Sequence, residues 1–194
     1  MKSIYAAAAV TLVSVLAAGC KPAPAPEAAP AAPAEAAPAA EAAAPAAAAE
    51  LSVSKSITIA ASADAVWAKV KDFNGMTAWH PAIAKSEIVE GTNGTVGAVR
   101  ALTLAGDKPA VIKEKLTALD DAAKSLSYEI VEGPLPVAGY SSTIVVAAEG
   151  AGSTVTWSGK FKAAAGADDA TATSTIEGVY TGGLDNLKKV AEAK

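Results

Sequence analysis

Between residues 83 and 161 the chain alternates apolar and polar residues in short segments, and turn-forming residues separate each segment from the next. Alternation with a period of two places every second side chain on the same face of a β-strand. Six strands are predicted, over 83–91, 98–106, 110–120, 125–133, 139–150 and 153–161. Turn residues at 106–109 and 150–152 are typical of hairpins. Consecutive hairpins predict an antiparallel sheet with one apolar face that another layer must cover.

Helical patterns flank this run of strands. Residues 51–60 alternate as a further strand, and Ser62 then stands at the N-cap position of a helix that is predicted to stop near Asn74-Gly75. A second short helical turn is predicted over 76–79. In 168–194 apolar residues recur every three or four positions, which predicts one long amphipathic helix. This order predicts an α+β fold: a curved antiparallel sheet of six to seven strands wrapped around a long C-terminal helix, with a gap between them suited to a small molecule.

The first 50 residues differ in composition from the rest of the chain. Lys2 precedes a mostly apolar stretch over 6–18, which is too short to cross roughly 30 Å of hydrocarbon and is typical of an export signal. Residues 21–50 contain only Ala, Pro, four Glu and one Lys, a composition that predicts a disordered, extended tether. The predicted organisation is therefore a signal peptide over 1–19, a tether over 20–50, and one folded domain over 51–194.

The only cysteine, Cys20, lies at the junction between signal and tether. The stretch Leu16-Ala17-Ala18-Gly19-Cys20 resembles the lipobox of bacterial lipoproteins, although Ala17 stands where that pattern usually has Leu. The resemblance implies that Cys20 is acylated, and two or more acyl chains give durable membrane attachment. The resemblance implies a place in the cell envelope, facing the periplasm. Lys21 after the cysteine resembles the enteric signal for sorting to the outer rather than the inner membrane. A soluble secreted protein with an unmodified thiol is the alternative.

Composition excludes several function classes for the folded part. The chain has one cysteine and one histidine, which excludes a thiol enzyme, a cysteine-ligated zinc site and the usual His-rich metal sites. No metal or cofactor is therefore expected. Residues 51–194 carry 14 Lys plus Arg against 16 Asp plus Glu, without a basic patch that aromatic residues interrupt. This balance argues against nucleic-acid binding.

Several segments, in this order, resemble the START-like superfamily. They are FNGMTAWHPAI, GTVGAVRALTL, EKLTALD, LSYEIVEGPLPVAGYSSTIVV and TVTWSGKF. The nearest branch is the polyketide cyclase/dehydrase type (SRPBCC). The resemblance covers most of 51–194 and implies a helix-grip fold with a ligand cavity under the C-terminal helix. Members bind lipids, hormones, polyketides and other apolar molecules; a few are enzymes, and one exported group assists periplasmic methanol oxidation.

Strand alternation places polar and aromatic side chains on the inward face. Arg100 and Glu114 would lie opposite each other in a hairpin that turns at Asp107. A structural ion pair and a ligand-orienting pair both remain open. Aromatic side chains with a polar atom suit a mostly apolar cavity, although plain core packing is the alternative for each. The candidate ligand-binding residues are Trp79, His80, Arg100, Glu114, Tyr128, Tyr140, Trp157 and Tyr180.

Trp79 and His80 fall in the loop after the first helices, near the predicted cavity mouth. As a general base His80 would need an oriented partner, and the sequence indicates none, so a gating or lining role is the favoured interpretation. Three glycines in the last helix, Gly178, Gly182 and Gly183, leave two interpretations open: room for a ligand, or close packing of helix on sheet.

These observations predict a lipid-anchored cell-envelope protein that binds a small hydrophobic or amphipathic molecule, and they favour binding over catalysis. One alternative is a cyclase/dehydrase-like enzyme that uses His80, Arg100 or Glu114 for acid–base chemistry. The other is a non-catalytic accessory protein that docks on a periplasmic protein partner.

Overall fold

The computed structural model describes residues 49–107 and 109–193, so the predicted signal, Cys20 and almost all of the tether lie outside the described residues. Strands and helices follow the predicted order. In chain order they are β1 (Leu51–Ile59), α1 (Ala63–Val70), a 3₁₀ turn (Gly75–Ala78), β2 (Ile83–Glu90), β3 (Val99–Leu104), β4 (Val111–Asp120), β5 (Ser125–Glu132), β6 (Val137–Glu149), β7 (Gly152–Ala163) and α2 (Asp169–Glu192).

The seven strands form one sheet in the order β1-β7-β6-β5-β4-β3-β2, and all neighbouring strands are antiparallel. Strands β2 to β7 are therefore joined as consecutive hairpins, while β1 takes the edge beside β7. The long helix α2 packs against β1 and β7. A curved antiparallel sheet with a long C-terminal helix is the helix-grip arrangement, and the predicted fold class is confirmed.

Both helices begin at a side-chain cap. The Ser62 hydroxyl accepts a hydrogen bond from the Ala65 N–H at 3.3 Å, and the Asp168 carboxylate accepts from the Thr171 N–H at 2.8 Å. Such caps satisfy amide groups that have no partner in the first turn of a helix. Along α2 the buried residues recur every three or four positions, so one apolar stripe faces the sheet.

The first helix ends earlier than its sequence pattern predicts. In a continued helix the Asn74 N–H would donate to the Val70 carbonyl. Instead it lies 3.2 Å from Oδ1 of Asp72 and 3.0 Å from Oδ1 of Asn93. Side chains of this type compete with the helix for backbone donors, and here they end α1 at Val70. The chain then turns into the loop that carries Phe73 and Met76 to the core.

Within the described residues, no helix has both the length and the apolar character that crossing a membrane requires.

Candidate ligand-binding cavity

A cavity of about 160 Å³ lies between the inner face of the sheet and α2. Its deep wall is formed by buried residues of three adjacent strands, such as Leu102, Ile112 and Tyr128. Its outer end is lined by partly exposed residues: Ala82 and Ala105 beside the β3–β4 hairpin, Leu135 between β5 and β6, and Val179 on α2. The cavity therefore reaches the surface between two loops and the middle of the last helix.

Five of the predicted site residues line this cavity: His80, Glu114, Tyr128, Tyr140 and Trp157. The other three, Trp79, Arg100 and Tyr180, are buried but are not among the lining residues. Each of the three contacts a residue of the wall. Trp79 packs edge-on against Trp157, Arg100 binds Glu114, and the Tyr180 ring stacks on Trp157 with ring centres 4.5 Å apart. Strand alternation assigned Arg100 to the inward face of β3, but it does not give the depth of a residue behind that face.

Arg100 and Glu114 form a buried ion pair across the β3–β4 hairpin. The two residues are direct partners in the register of these strands, which confirms their predicted pairing. Nε and Nη2 of Arg100 donate to Oε2 of Glu114 at 2.9 and 2.6 Å. Nη1 donates to the Phe73 carbonyl, and the guanidinium lies over the Phe73 ring at 4.1 Å. All three guanidinium nitrogens therefore have partners behind the cavity wall.

Glu114 presents its other carboxylate oxygen to the cavity. Both Arg100 bonds are made to Oε2, and among the described residues no hydrogen bond reaches Oε1. Burial raises the pKa of the Glu114 carboxyl above its usual value, and the neighbouring Arg100 charge and hydrogen bonds oppose that rise. Glu114 is thus a buried acceptor that lines the cavity with one oxygen unused.

Four buried side chains form a hydrogen-bonded chain beside the cavity. Ser142 donates its one hydroxyl proton to the Ser158 carbonyl at 2.9 Å. Tyr180, 3.0 Å from Ser142 Oγ, must therefore donate to it, and Tyr140 must donate to Tyr180 across 2.7 Å. Nε1 of Trp157 also donates to Ser142, at 2.8 Å. One proton per hydroxyl thus fixes the direction of the whole chain.

Tyr128 lies on the other side of this chain. Its hydroxyl accepts from Nε1 of Trp157 at 3.1 Å, and Tyr140 is a further hydrogen-bond partner of the same hydroxyl. Burial raises the pKa of Tyr128 and Tyr140 well above the ordinary value and that of Tyr180 to about 12. All three phenols are therefore neutral at physiological pH.

Both ring nitrogens of His80 are bonded to backbone groups. Nδ1 accepts from the Ala82 N–H at 3.3 Å, so Nε2 carries the proton and donates to the Val179 carbonyl at 3.1 Å. Burial lowers the pKa of His80, which keeps the ring neutral. The imidazole thus connects the loop to α2, and neither nitrogen is free to accept a proton from a bound molecule.

Trp79 has a structural role at the same junction. Its carbonyl accepts from Nδ2 of Asn186 on α2 at 2.9 Å. Its indole packs at 5.8 Å from the rings of His80 and Trp157. Its Nε1 is buried and has no partner within residues 49–107 and 109–193.

Two glycines allow these large side chains to approach the backbone. A Cβ atom on Gly159 would overlap the Tyr180 hydroxyl. A Cβ atom on Gly183 would lie 2.6 Å from the His80 ring and 2.8 Å from Trp157. At Gly183 the structure therefore supports the close-packing interpretation, whereas nothing lies within 4 Å of the same position on Gly178 or Gly182.

Sequence reasoning gave no role to Ser142, which lies at the centre of the hydroxyl chain and accepts from both Trp157 and Tyr180. A small polar residue between Tyr140 and Ile144 on an inward face was the signal that could have identified it. Met76, which lines the cavity and lies 3.5 Å from Nη2 of Arg100, was likewise not predicted. In the described part of the chain no group of three or more His, Cys, Asp or Glu residues is arranged to hold a metal ion.

Several solved structures share this fold. A protein of Bacillus thuringiensis is 31% identical, with a TM-score of 0.66 over 73% of this chain and 98% of its own. The protein XoxI of Bacillus cereus is also 31% identical, with a TM-score of 0.65 over 71% of this chain and 93% of its own. Ara h 8.0201 is 21% identical, with a TM-score of 0.63 over 74% and 98%, and shows the fold alone.

No curated protein matches the chain. The model of one protein family, described as polyketide cyclase/dehydrase and lipid transport, matches residues 50–192, which is almost the whole described domain and includes every residue of the cavity wall. The chain belongs to this polyketide cyclase/dehydrase and lipid transport family.

Proposed function

We propose that the protein is a cell-envelope lipoprotein whose helix-grip domain binds a small hydrophobic or amphipathic molecule in the cavity under α2, and that it is not an enzyme. The observation that carries the proposal is an apolar cavity that has one unused polar atom in its wall, Oε1 of Glu114. Ligand sites of proteins combine a mainly apolar lining with a few polar atoms that orient the ligand. The family description, which includes lipid transport, supports the same reading.

Cavity size limits what is bound. An engineered apolar cavity of about 150 Å³ binds benzene. The cavity here, at about 160 Å³, is similar, so its buried part holds a single ring or a short chain of comparable volume. Two lipid acyl chains would not fit without a large rearrangement, and a longer ligand would have to extend out past Val179 and Leu135.

The chemistry of the site supports binding over catalysis. General acid–base catalysis needs a group that can exchange a proton with the bound molecule. His80 has both nitrogens bonded to backbone, and Ser142 donates to a carbonyl rather than to a base. Oε2 of Glu114 binds Arg100, and its unused Oε1 can orient a ligand by accepting a hydrogen bond.

Native mass spectrometry tests the proposal. The purified protein is expected to carry, or to take up from an envelope lipid extract, a small molecule that leaves on denaturation. Val179→Phe should abolish the added mass, because the larger ring would occupy the outer end of the cavity. Val145→Phe is the matched control, since Val145 is 36% exposed on the other face of the sheet. A protein that stays free of added mass under both conditions would contradict a binding function.

The membrane anchor needs a separate test, because it depends on the stretch Leu16-Ala17-Ala18-Gly19-Cys20. Cells that express the full chain are expected to incorporate a labelled fatty acid into it, and Cys20→Ser should remove both the label and the membrane association. Fractionation then distinguishes the outer membrane, which we favour, from the inner. Release of unlabelled wild-type protein into the soluble periplasm would exclude the anchor.

A further inference from the structure

We propose that this cavity selects neutral molecules that bear an O–H or N–H donor, and that it rejects carboxylates and amines. The inference rests on the proposed binding function and names the ligand class that the site accepts. It depends on how the charges of Arg100 and Glu114 are arranged with respect to the cavity.

Arg100 does not offer its charge to the cavity. The side chain is 3% exposed and does not line the cavity. Nε and Nη2 bind Glu114, Nη1 binds the Phe73 carbonyl, and the Phe73 ring covers one face of the guanidinium. A ligand carboxylate would therefore find no cation in the wall. It would also lie beside Oε1 of Glu114, where two like charges repel in a medium of low polarity.

A ligand ammonium group is excluded for a different reason. Arg100 and Glu114 together carry no net charge, so a third charged group would remain uncompensated in a buried site. Burial of an unpaired ion is strongly unfavourable because the protein does not replace its hydration. The other titratable groups of the wall, His80, Tyr128 and Tyr140, are neutral and cannot balance it.

A neutral O–H or N–H group can make a favourable hydrogen bond in this cavity, whereas neither ion can bind there without an electrostatic cost. Oε1 of Glu114 is an unused acceptor on a carboxylate, and hydrogen bonds to an ionised acceptor are stronger than those between neutral groups. A hydroxyl that enters an apolar cavity without a partner binds less well than a methyl group in its place, because its hydration is lost. If a molecule with a hydroxyl binds more tightly than one of equal shape with a methyl group, the hydroxyl has a hydrogen-bond partner in the cavity. The reverse order shows that it has none.

Four single-ring probes test this at neutral pH by titration calorimetry on the purified protein: toluene and phenol, which are neutral and of nearly equal shape, and the ions benzoate and benzylammonium. Phenol is expected to bind at least about tenfold tighter than toluene, a difference of about 1.4 kcal/mol. Benzoate and benzylammonium are expected to bind more weakly than toluene. Toluene that binds as tightly as phenol, or either ion that matches phenol, would overturn the selectivity while leaving a binding function intact. Absence of binding by both neutral probes would overturn the proposed function and the selectivity together.

Glu114→Gln gives a second, independent readout. The amide keeps the shape of the side chain but removes the negative charge, so Arg100 is left without its counter-ion. The preference for phenol over toluene should fall at least about threefold, and benzoate should gain at least about tenfold in affinity. Glu132→Gln is the matched control, since Glu132 is an exposed carboxylate that pairs with Lys113 on the other face of the sheet, and it should change neither ratio. If Glu114→Gln fails to fold, the four probes on the unmodified protein still decide the question.

Discussion

Nε2 of His80 lies 3.1 Å from the carbonyl oxygen of Val179 and thereby joins the loop after the 3₁₀ turn to the middle of α2. The two residues are 99 positions apart in the chain. The bond needs a protonated Nε2, and the Ala82 N–H needs an unprotonated Nδ1. The contact between loop and helix is therefore made by the neutral imidazole, and protonation would remove the acceptor for Ala82.

The stability of the fold should respond to the protonation of His80. Its pKa is lowered from the ordinary value of 6.5 by burial, so below that pH the unfolded chain takes up a proton that the folded protein does not. The free energy of unfolding should then fall as pH decreases below 6.5, with a slope of at most about 1.4 kcal/mol per pH unit. Urea unfolding of the wild type and of His80→Gln over this range measures the effect.

The difference between these two proteins isolates the histidine. Glu114, whose raised pKa gives a slope of the opposite sign, is present in both and cancels in first order. His80 is the only histidine of the chain, so no other imidazole contributes. A difference in unfolding free energy that stays constant with pH would show that His80 titrates alike in the folded and unfolded states.

The direction of the hydroxyl chain predicts unequal effects of two Tyr→Phe changes. Tyr180→Phe leaves the Tyr140 proton without its acceptor and removes a donor to Ser142, so it should lower the free energy of unfolding by about 1–3 kcal/mol. Tyr140→Phe removes one donor to Tyr180 and leaves a lone pair of Tyr180 unused. Its cost should be about 1 kcal/mol or less. Urea unfolding of both variants compares them, and equal or reversed costs would contradict the proton order.

Local patterns were sufficient to predict the fold and one contact within it. Alternation assigned the faces of the strands, and the turn near Asp107 fixed the register that pairs Arg100 with Glu114. Register in a hairpin depends only on the position of the turn, so both facts lie within a short stretch of sequence.

Other parts of the site depend on contacts that no local pattern encodes. The bond between Tyr128 and Trp157 crosses from β5 over β6 to β7, and so requires the curvature of the whole sheet. The end of α1 depends on Asn93, a residue of the loop after β2. Depth behind the cavity wall, which separates Arg100 and Tyr180 from the lining residues, is decided by side-chain packing rather than by strand phase.

Because the Arg100–Glu114 ion pair is buried, removing one of its two charges should destabilise the fold more than removing both. Arg100→Met leaves the Glu114 carboxylate without its counter-ion and should cost about 3–5 kcal/mol of unfolding free energy at neutral pH. The double variant Arg100→Met/Glu114→Leu removes the remaining charge and should recover most of that loss. In the single variant stability should rise as pH falls, because the folded state then protonates Glu114. A double variant no more stable than Arg100→Met would contradict this account.

Two glycines of α2 should respond in opposite ways to the same change. Gly183→Ala places a Cβ atom 2.6 Å from the His80 ring and 2.8 Å from Trp157, so the helix must move off the sheet or the rings must shift. Overpacking of this kind costs about 1–3 kcal/mol, and it should also weaken ligand binding, since both rings line the cavity. Gly178→Ala meets nothing within 4 Å on the exposed side of the same helix and should raise the unfolding free energy by up to about 1 kcal/mol. Thermal unfolding of the pair separates packing from helix propensity, because propensity alone would stabilise both.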